Sequence, residues 1–158
     1  MIDQADLEQR LRTRLTPLED LAAAHARGDR DLNPEWPTPP EMPLRAAAVL
    51  AAIVRRPLGW TMLFTERAAD LPSHPSQISF PGGKIEKDET PVEAALREAH
   101  EEIGLDGSFI TPVGGFDAYE TGTGFRIMPV VAFVEPGFTL HLDAREVAEA
   151  FETPVEFL

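Results

Sequence analysis

The sequence predicts one mixed α/β or α+β domain. Three observations carry that prediction. A strongly periodic helix over 91–103 has apolar, strand-like runs before and after it. The length of 158 residues suits a single core and is cramped for two. Apolar residues form 43% of the chain, too many for a disordered acidic polymer.

The elements follow in chain order. Leu7, Leu11, Leu15, Leu18, Leu21 and Ala22 recur at three- to four-residue spacing, so 3–29 reads as helical. Pro17 splits that stretch into two short helices or kinks it. Pro34, Pro37, Pro39, Pro40 and Pro43 make 30–44 an extended connector. The apolar run 46–53 reads as a buried strand, 55–59 as a turn and 60–64 as the paired strand. Residues 68–77, polar and holding Pro72 and Pro75, read as a loop. A brief strand over 78–80 ends at Pro81-Gly82-Gly83. Thr90 is the predicted N-cap of the 91–103 helix, with Pro91 in its first turn and Glu93 completing a capping box. Gly104 is its predicted terminator. Strands near 109–117 and 126–134 flank a glycine-rich turn at 121–124. A short helix near 144–150, then a last strand and turn, finish the chain.

Charge and composition exclude several function classes. Asp and Glu number 27 against 14 Lys and Arg, a net charge of −13. Such acidity disfavours coating nucleic acid or an anionic membrane, which needs clustered cations. No apolar run approaches the roughly 20 residues that cross a bilayer. The opening residues are charged and lack an apolar signal core. Cysteine is absent, which excludes thiolate metal sites and fits a reducing compartment. The expectation is a cytoplasmic protein acting on a small molecule. The N-terminal segment is left open as a homodimer contact or a lid.

The 91–103 helix carries the chemistry. On a wheel, Val92, Ala95, Leu96, Ala99 and Ile103 share a face that must be buried. Glu98, Glu101 and Glu102 fall on the other side at i,i+3 and i,i+4 spacing, within about 6 Å of each other. Packed like charges repel. Hard divalent cations want oxygen ligands, so this repulsion becomes affinity once metal binds. An acidic helix face is more often only a solvated face, and the neighbouring residues decide between the two. Arg97 precedes the cluster, Gly104 closes it, and Gly82-Gly83 lies upstream, where backbone can approach a ligand closely.

Residues 83–105, GKIEKDETPVEAALREAHEEIGL, resemble the Nudix box, G-x5-E-x7-R-E-U-x-E-E-x-G-U with U aliphatic. Gly83, Glu89, Arg97, Glu98, Ala99, Glu101, Glu102, Gly104 and Leu105 fill every defined position, with Ala99 the one small match. The resemblance implies an α/β/α sandwich with a mixed sheet, the box forming loop–helix–loop. It implies hydrolysis of a nucleoside diphosphate linked to another moiety, with Mg²⁺ or Mn²⁺. It makes Glu98, Glu101 and Glu102 the metal carboxylates, joined by the carbonyl of Gly83 or a neighbour. Glu98 and Glu101 then carry the catalytic step, with Glu98 the candidate for orienting or deprotonating the attacking water. Arg97, grouped with them in the box, would pair with Glu89 and fix the loop to the helix.

Upstream, Leu63-Phe64-Thr65-Glu66-Arg67-Ala68 and Phe80-Pro81-Gly82-Gly83 resemble the added signature of coenzyme A pyrophosphatases, L-L-T-x-R-[SA]-x3-R-x3-G-x3-F-P-G-G. The spacing is kept. Pro72 replaces an arginine and Ser76 a glycine, and the lost arginine is a natural phosphate contact. His74 and Gln77 fall where relatives often carry the same residues. Arg67, Gly82 and Gly83 are the candidate substrate contacts. A further acid from the C-terminal half is implied, with Glu146 and Glu149 as candidates on one predicted helix and Glu120 behind them. His100 reads as surface. Phe125, Trp60 and Tyr119 are candidates for stacking on adenine, with core packing the simpler reading. Three functions are consistent with these residues. The first is cleavage of coenzyme A or an acyl derivative to adenosine 3′,5′-bisphosphate and 4′-phosphopantetheine. The second is the same chemistry on ADP-ribose, a dinucleotide or a nucleoside triphosphate. The third is a non-cleaving nucleotide sensor, which the complete box disfavours.

Overall fold

The computed structural model describes residues 3–36 and 43–158. Pro37, Pro39 and Pro40 of the expected connector lie outside the described residues. Helix α1 (Gln4–Arg14) starts at Asp3, whose carboxylate accepts the Ala5 N–H at 3.2 Å. It stops before Pro17, and a 3-10 turn follows over Leu18–Ala23. The expected break at proline is therefore present, but the helical reading runs too far. Ala26–Gly28 is strand β1, and Asp29–Leu32 is a single turn, α2, inside the expected connector. Strand β1 is held by a partner far along the chain, which no local periodicity reports.

Strands β2 (Arg45–Arg56) and β3 (Gly59–Arg67) form the predicted hairpin, each longer than expected. Short strands β4 (Ile78–Ser79) and β5 (Gly82–Lys84) follow. Gly82-Gly83 is thus not an open loop. It pairs antiparallel with Val49 and Ala48 of β2. Helix α3 (Pro91–Ile103) has the predicted bounds. Its capping box is complete: the Glu93 N–H donates to the Thr90 hydroxyl at 3.2 Å, and the Thr90 N–H to the Glu93 carboxylate at 2.8 Å. Gly104 ends it at φ +67°, a left-handed conformation that glycine takes without steric cost. Strands β6 (Ile110–Gly115), β7 (Ala118–Glu120) and β8 (Phe125–Val134) come next. The expected helix near 144–150 is absent. Val147–Pro154 is strand β9, paired antiparallel with β3. Its Ala and Glu residues favour helix locally, and pairing along β3 overrides that weak preference.

The mixed sheet runs β1-β7-β8-β2-β3-β4, with β5 on β2, β6 on β8 and β9 on β3. Its spine is the parallel pair of β2 and β8, in register from Arg45↔Phe125 to Val54↔Val134. Side chains alternate across it. Ala48, Leu50, Ala52 and Val54 face one side and pack with Ala94, Ala95, Ala99 and Ile103 of α3. Ala51 and Ile53 face the other with Trp60, Val131 and Phe133, covered by Leu7 and Leu11 of α1 and by Leu15 just after it. The result is the expected sandwich. The N-terminal leucines are used within the chain, against its own sheet. The alanines let α3 approach β2 closely, and Ala94, absent from the predicted face, is fully buried while Val92 and Leu96 are only partly so. Among the described residues no helix is long and apolar enough to cross a membrane.

Because α3 carries the acidic cluster, its cap is a stability lever. Thr90→Ala should cost about 1 kcal/mol and lower Tm by about 2–4 °C. Thermal unfolding followed by circular dichroism checks this, and an unchanged Tm would show that the cap holds nothing.

Candidate metal and active site

Arg97 is the hub of the site. Its Nε and Nη2 donate to the two oxygens of Glu89 at 2.7 and 3.0 Å, a fork that ties the 85–90 loop to α3. Nη2 also reaches the Lys84 carbonyl at 3.0 Å. Nη1 donates to Glu98 at 3.0 Å and to Glu101 at 3.2 Å. The expected Glu89 pair is present, and two further carboxylates hang on the same guanidinium. Bonding to Arg97 holds the Glu89 carboxyl below its ordinary range, and the Glu89 bond raises the guanidinium further.

The three helix glutamates differ sharply. Glu101 is exposed and rests on Arg97. Glu98 is largely covered, its side chain 16% exposed. A Cβ at Gly83 would stand 2.6 Å from the Glu98 carboxylate, so a side chain there would push that carboxylate aside. Glu102 is only 7% exposed, so it is not part of a solvated face. Its carboxylate accepts a long hydrogen bond, 3.4 Å from the Gly82 N–H. Burial, with the charges of Glu98 and Glu146 adding to it, pushes the Glu102 carboxyl up to about 8 against the pull of Gly82 and Arg67. Burial raises Glu98 as well.

Glu146 and Glu149 do not share a helix face. Glu146 precedes β9, its carbonyl accepting the Ala68 N–H at 2.9 Å. The loop before it docks on the end of α3, where Asp143 and His141 N–H groups donate to the Glu102 and Ile103 carbonyls at 2.9 and 2.8 Å. That docking places the Glu146 charge against Glu98 and Glu102. Glu149 instead stands opposite Glu66 in β9. Neighbouring Ala150 packs towards α3, so Glu149 points to the other side of the sheet. Glu120 pairs with Arg126 at 3.1 Å, apart from this cluster.

Arg67 ends β3 beside the carboxylates and lowers the Glu102 carboxyl. Its Nη2 donates to the Ser73 carbonyl at 3.4 Å, while its buried Nε has no partner among the described residues. The 68–77 loop closes over it through the Ser76 N–H to the Arg67 carbonyl and the Arg67 N–H to the Gln77 carbonyl. His74 and Ser76 are left-handed, at φ +51° and +56°. Ser76 thus keeps the conformation that a glycine there would adopt, at a cost of about 1 kcal/mol. His74, Gln77 and His100 are exposed. Trp60 packs against Phe133 in the core, ring centroids 5.1 Å apart and tilted by 36°. Phe125 is covered by the Arg45 guanidinium, 4.2 Å from its centroid, and the Tyr119 hydroxyl bonds Asp29.

With Glu98 and Glu101 turned onto Arg97, no three acids converge on one point among the described residues. The donor chemistry nonetheless fits a hard divalent cation: oxygen ligands, surplus negative charge, and a glycine backbone crowded against one carboxylate.

The Glu102 shift fixes a pH dependence. Below its ordinary value of 4.5 the carboxyl is protonated in folded and unfolded chains alike. Between 4.5 and about 8 the unfolded chain releases the proton and the folded chain keeps it. The folded state then binds more protons, so stability falls as pH rises, by up to about 1.4 kcal/mol per pH unit. In EDTA, wild type should lose thermal stability from pH 5 to 8 more steeply than Glu102→Gln. Equal slopes would contradict the buried, protonated carboxyl.

A family model described as the NUDIX domain matches residues 44–157. Uncharacterized Nudix hydrolase NudL of Enterobacter sp. (strain 638) is 39% identical over 112 residues, 70% of this chain and 58% of that protein. The Cronobacter sakazakii protein of the same name is 40% identical over the same shares. The chain therefore spans somewhat over half the length of the curated relatives it matches. Among solved structures, a C. elegans Ap4A hydrolase binary complex aligns with TM-score 0.61 at 19% identity, covering 70% of this chain and 80% of that one. The NUDIX domain of Shewanella oneidensis NrtR, complexed with ADP ribose, aligns with TM-score 0.55 at 13% identity over 82% and 84%. Family model, relatives and fold agree: the chain belongs to the Nudix family.

Proposed function

We propose that this chain is a divalent-metal-dependent pyrophosphohydrolase that cleaves the diphosphate of coenzyme A or acyl-coenzyme A, releasing adenosine 3′,5′-bisphosphate and 4′-phosphopantetheine. The observation that carries the reading is the buried Glu102 carboxylate at the Gly82 N–H with the Glu98 carboxylate against Gly83 on the same strand. A chain of net −13 repels a pyrophosphate. Mg²⁺ or Mn²⁺ bound at Glu98, Glu101, Glu102 and the Gly83 carbonyl would neutralise phosphate charge and acidify bound water.

The chain's own residues do the rest. To hold the metal, Glu98 and Glu101 would have to leave Arg97 and Glu102 would have to give up its proton. Arg97 stays forked on Glu89 and keeps the 85–90 loop in place. Arg67, with a free buried Nε, offers a guanidinium to a phosphate oxygen. Glu98 would hold the attacking water, with Glu146 as the fourth acid.

Arg67, Ala68 and the Phe80–Gly83 run support coenzyme A as the substrate, and Ser76 preserves the loop shape. Pro72 favours the second reading, since a guanidinium of the coenzyme A signature is missing there. Under that reading the same centre cuts ADP-ribose, a dinucleotide or a nucleoside triphosphate. Phosphorus NMR of products with Mg²⁺ separates them, and intact coenzyme A beside hydrolysed ADP-ribose would sink the first.

Glu146→Gln should lower kcat by about 10²-fold or more, a size usual for a positioned acid–base group. Glu149→Gln should leave kcat within about twofold. Equal effects in steady-state assays would overturn the assignment of the fourth acid.

A further inference from the structure

A cleft of about 400 Å³ opens where β6 passes into β7, lined by Arg14, Thr16, Arg27, Gly115, Phe116 and Asp117. Ligand sites commonly span roughly 300–1,000 Å³. Its floor is tightly fixed. Thr16 and Gly115 exchange both backbone hydrogen bonds at 2.9 Å, and a Cβ at Gly115 would stand 2.3 Å from the Leu21 side chain. Phe116 belongs to neither core cluster and is 48% exposed. Arg14, at the end of α1, has no hydrogen-bond or ion-pair partner among the described residues. The Thr16 hydroxyl has none either. Arg27 gives its Nε to Asp117 at 2.6 Å, which leaves its two Nη groups free among the described residues.

Two guanidiniums beside an exposed ring stand out in a chain of net −13. An exposed aromatic face takes a flat ring, and guanidinium forks take phosphate oxygens. The cleft is separate from the acidic centre. Strands β8 and β2 lie between it and β5, which at the usual strand spacing puts it roughly 15 Å from Gly82.

We propose that this cleft is a second, non-catalytic site for a nucleoside monophosphate, with the base stacked on Phe116 and the phosphate held by Arg14 and Arg27. The proposal stands apart from the substrate assigned to the acidic centre.

Calorimetric titration of the full chain with AMP in EDTA tests it, since the acidic centre without metal repels phosphate. One saturable site is expected. Phe116→Ala and Arg14→Ala should each weaken it roughly fivefold or more, and ribose 5-phosphate should bind wild type correspondingly less well. Inorganic phosphate binding as tightly as AMP would overturn the role of the ring. In amide chemical-shift mapping of wild type, AMP should move Thr16, Gly115 and Phe116. The proposal fails if AMP does not saturate at millimolar concentration, if both substitutions leave its affinity unchanged, or if the shifts cluster at Gly82 and Glu102.

Discussion

One guanidinium organises the acidic end of this molecule. Arg97 forks onto Glu89, touches the Lys84 carbonyl and holds Glu98 and Glu101. The fork closes the loop between β5 and α3. That closure sets Gly83 close to Glu98, where a Cβ would displace the carboxylate. Without a cation there, three acids one helical turn apart would drive each other out towards water. The arginine is therefore a positioning residue whose work is done through other groups.

Burial divides the acids into classes. Among the described residues every acid but Glu102 is exposed or half-buried. Glu102 is covered and its carboxyl is pushed up to about 8. A site built this way is a poor place for a free charge and a good one for a cation that brings compensation with it. Under the proposed function the chain's acidity agrees with an anionic substrate, because a bound metal would stand between them.

Local patterns in the sequence were reliable and long-range pairings were not. Helix α3 carries its own boundaries in Thr90, Pro91, Glu93 and Gly104, and the box residues are legible as a string. The β2–β3 hairpin is legible from its apolar runs and turn. Strand β9 was misread as helix, because Ala148, Glu149 and Ala150 favour helix until β3 pairs with them. That error put Glu146 and Glu149 on one face, whereas the extended chain separates them. The burial of Glu102 was also hidden, since a wheel shows which residues share a face but not what covers it. Its cover comes from the Gly82 strand and from the 141–146 loop, two segments distant in sequence.

The central claim is that Glu98 and Glu102 hold a divalent cation between α3 and β5. Electron paramagnetic resonance of Mn²⁺ titrated into the metal-free chain measures this without any substrate. Saturable binding should be present in wild type and in Glu149→Gln, and lost in the Glu98→Gln, Glu102→Gln double variant. A double variant that binds Mn²⁺ as wild type does would contradict the claim.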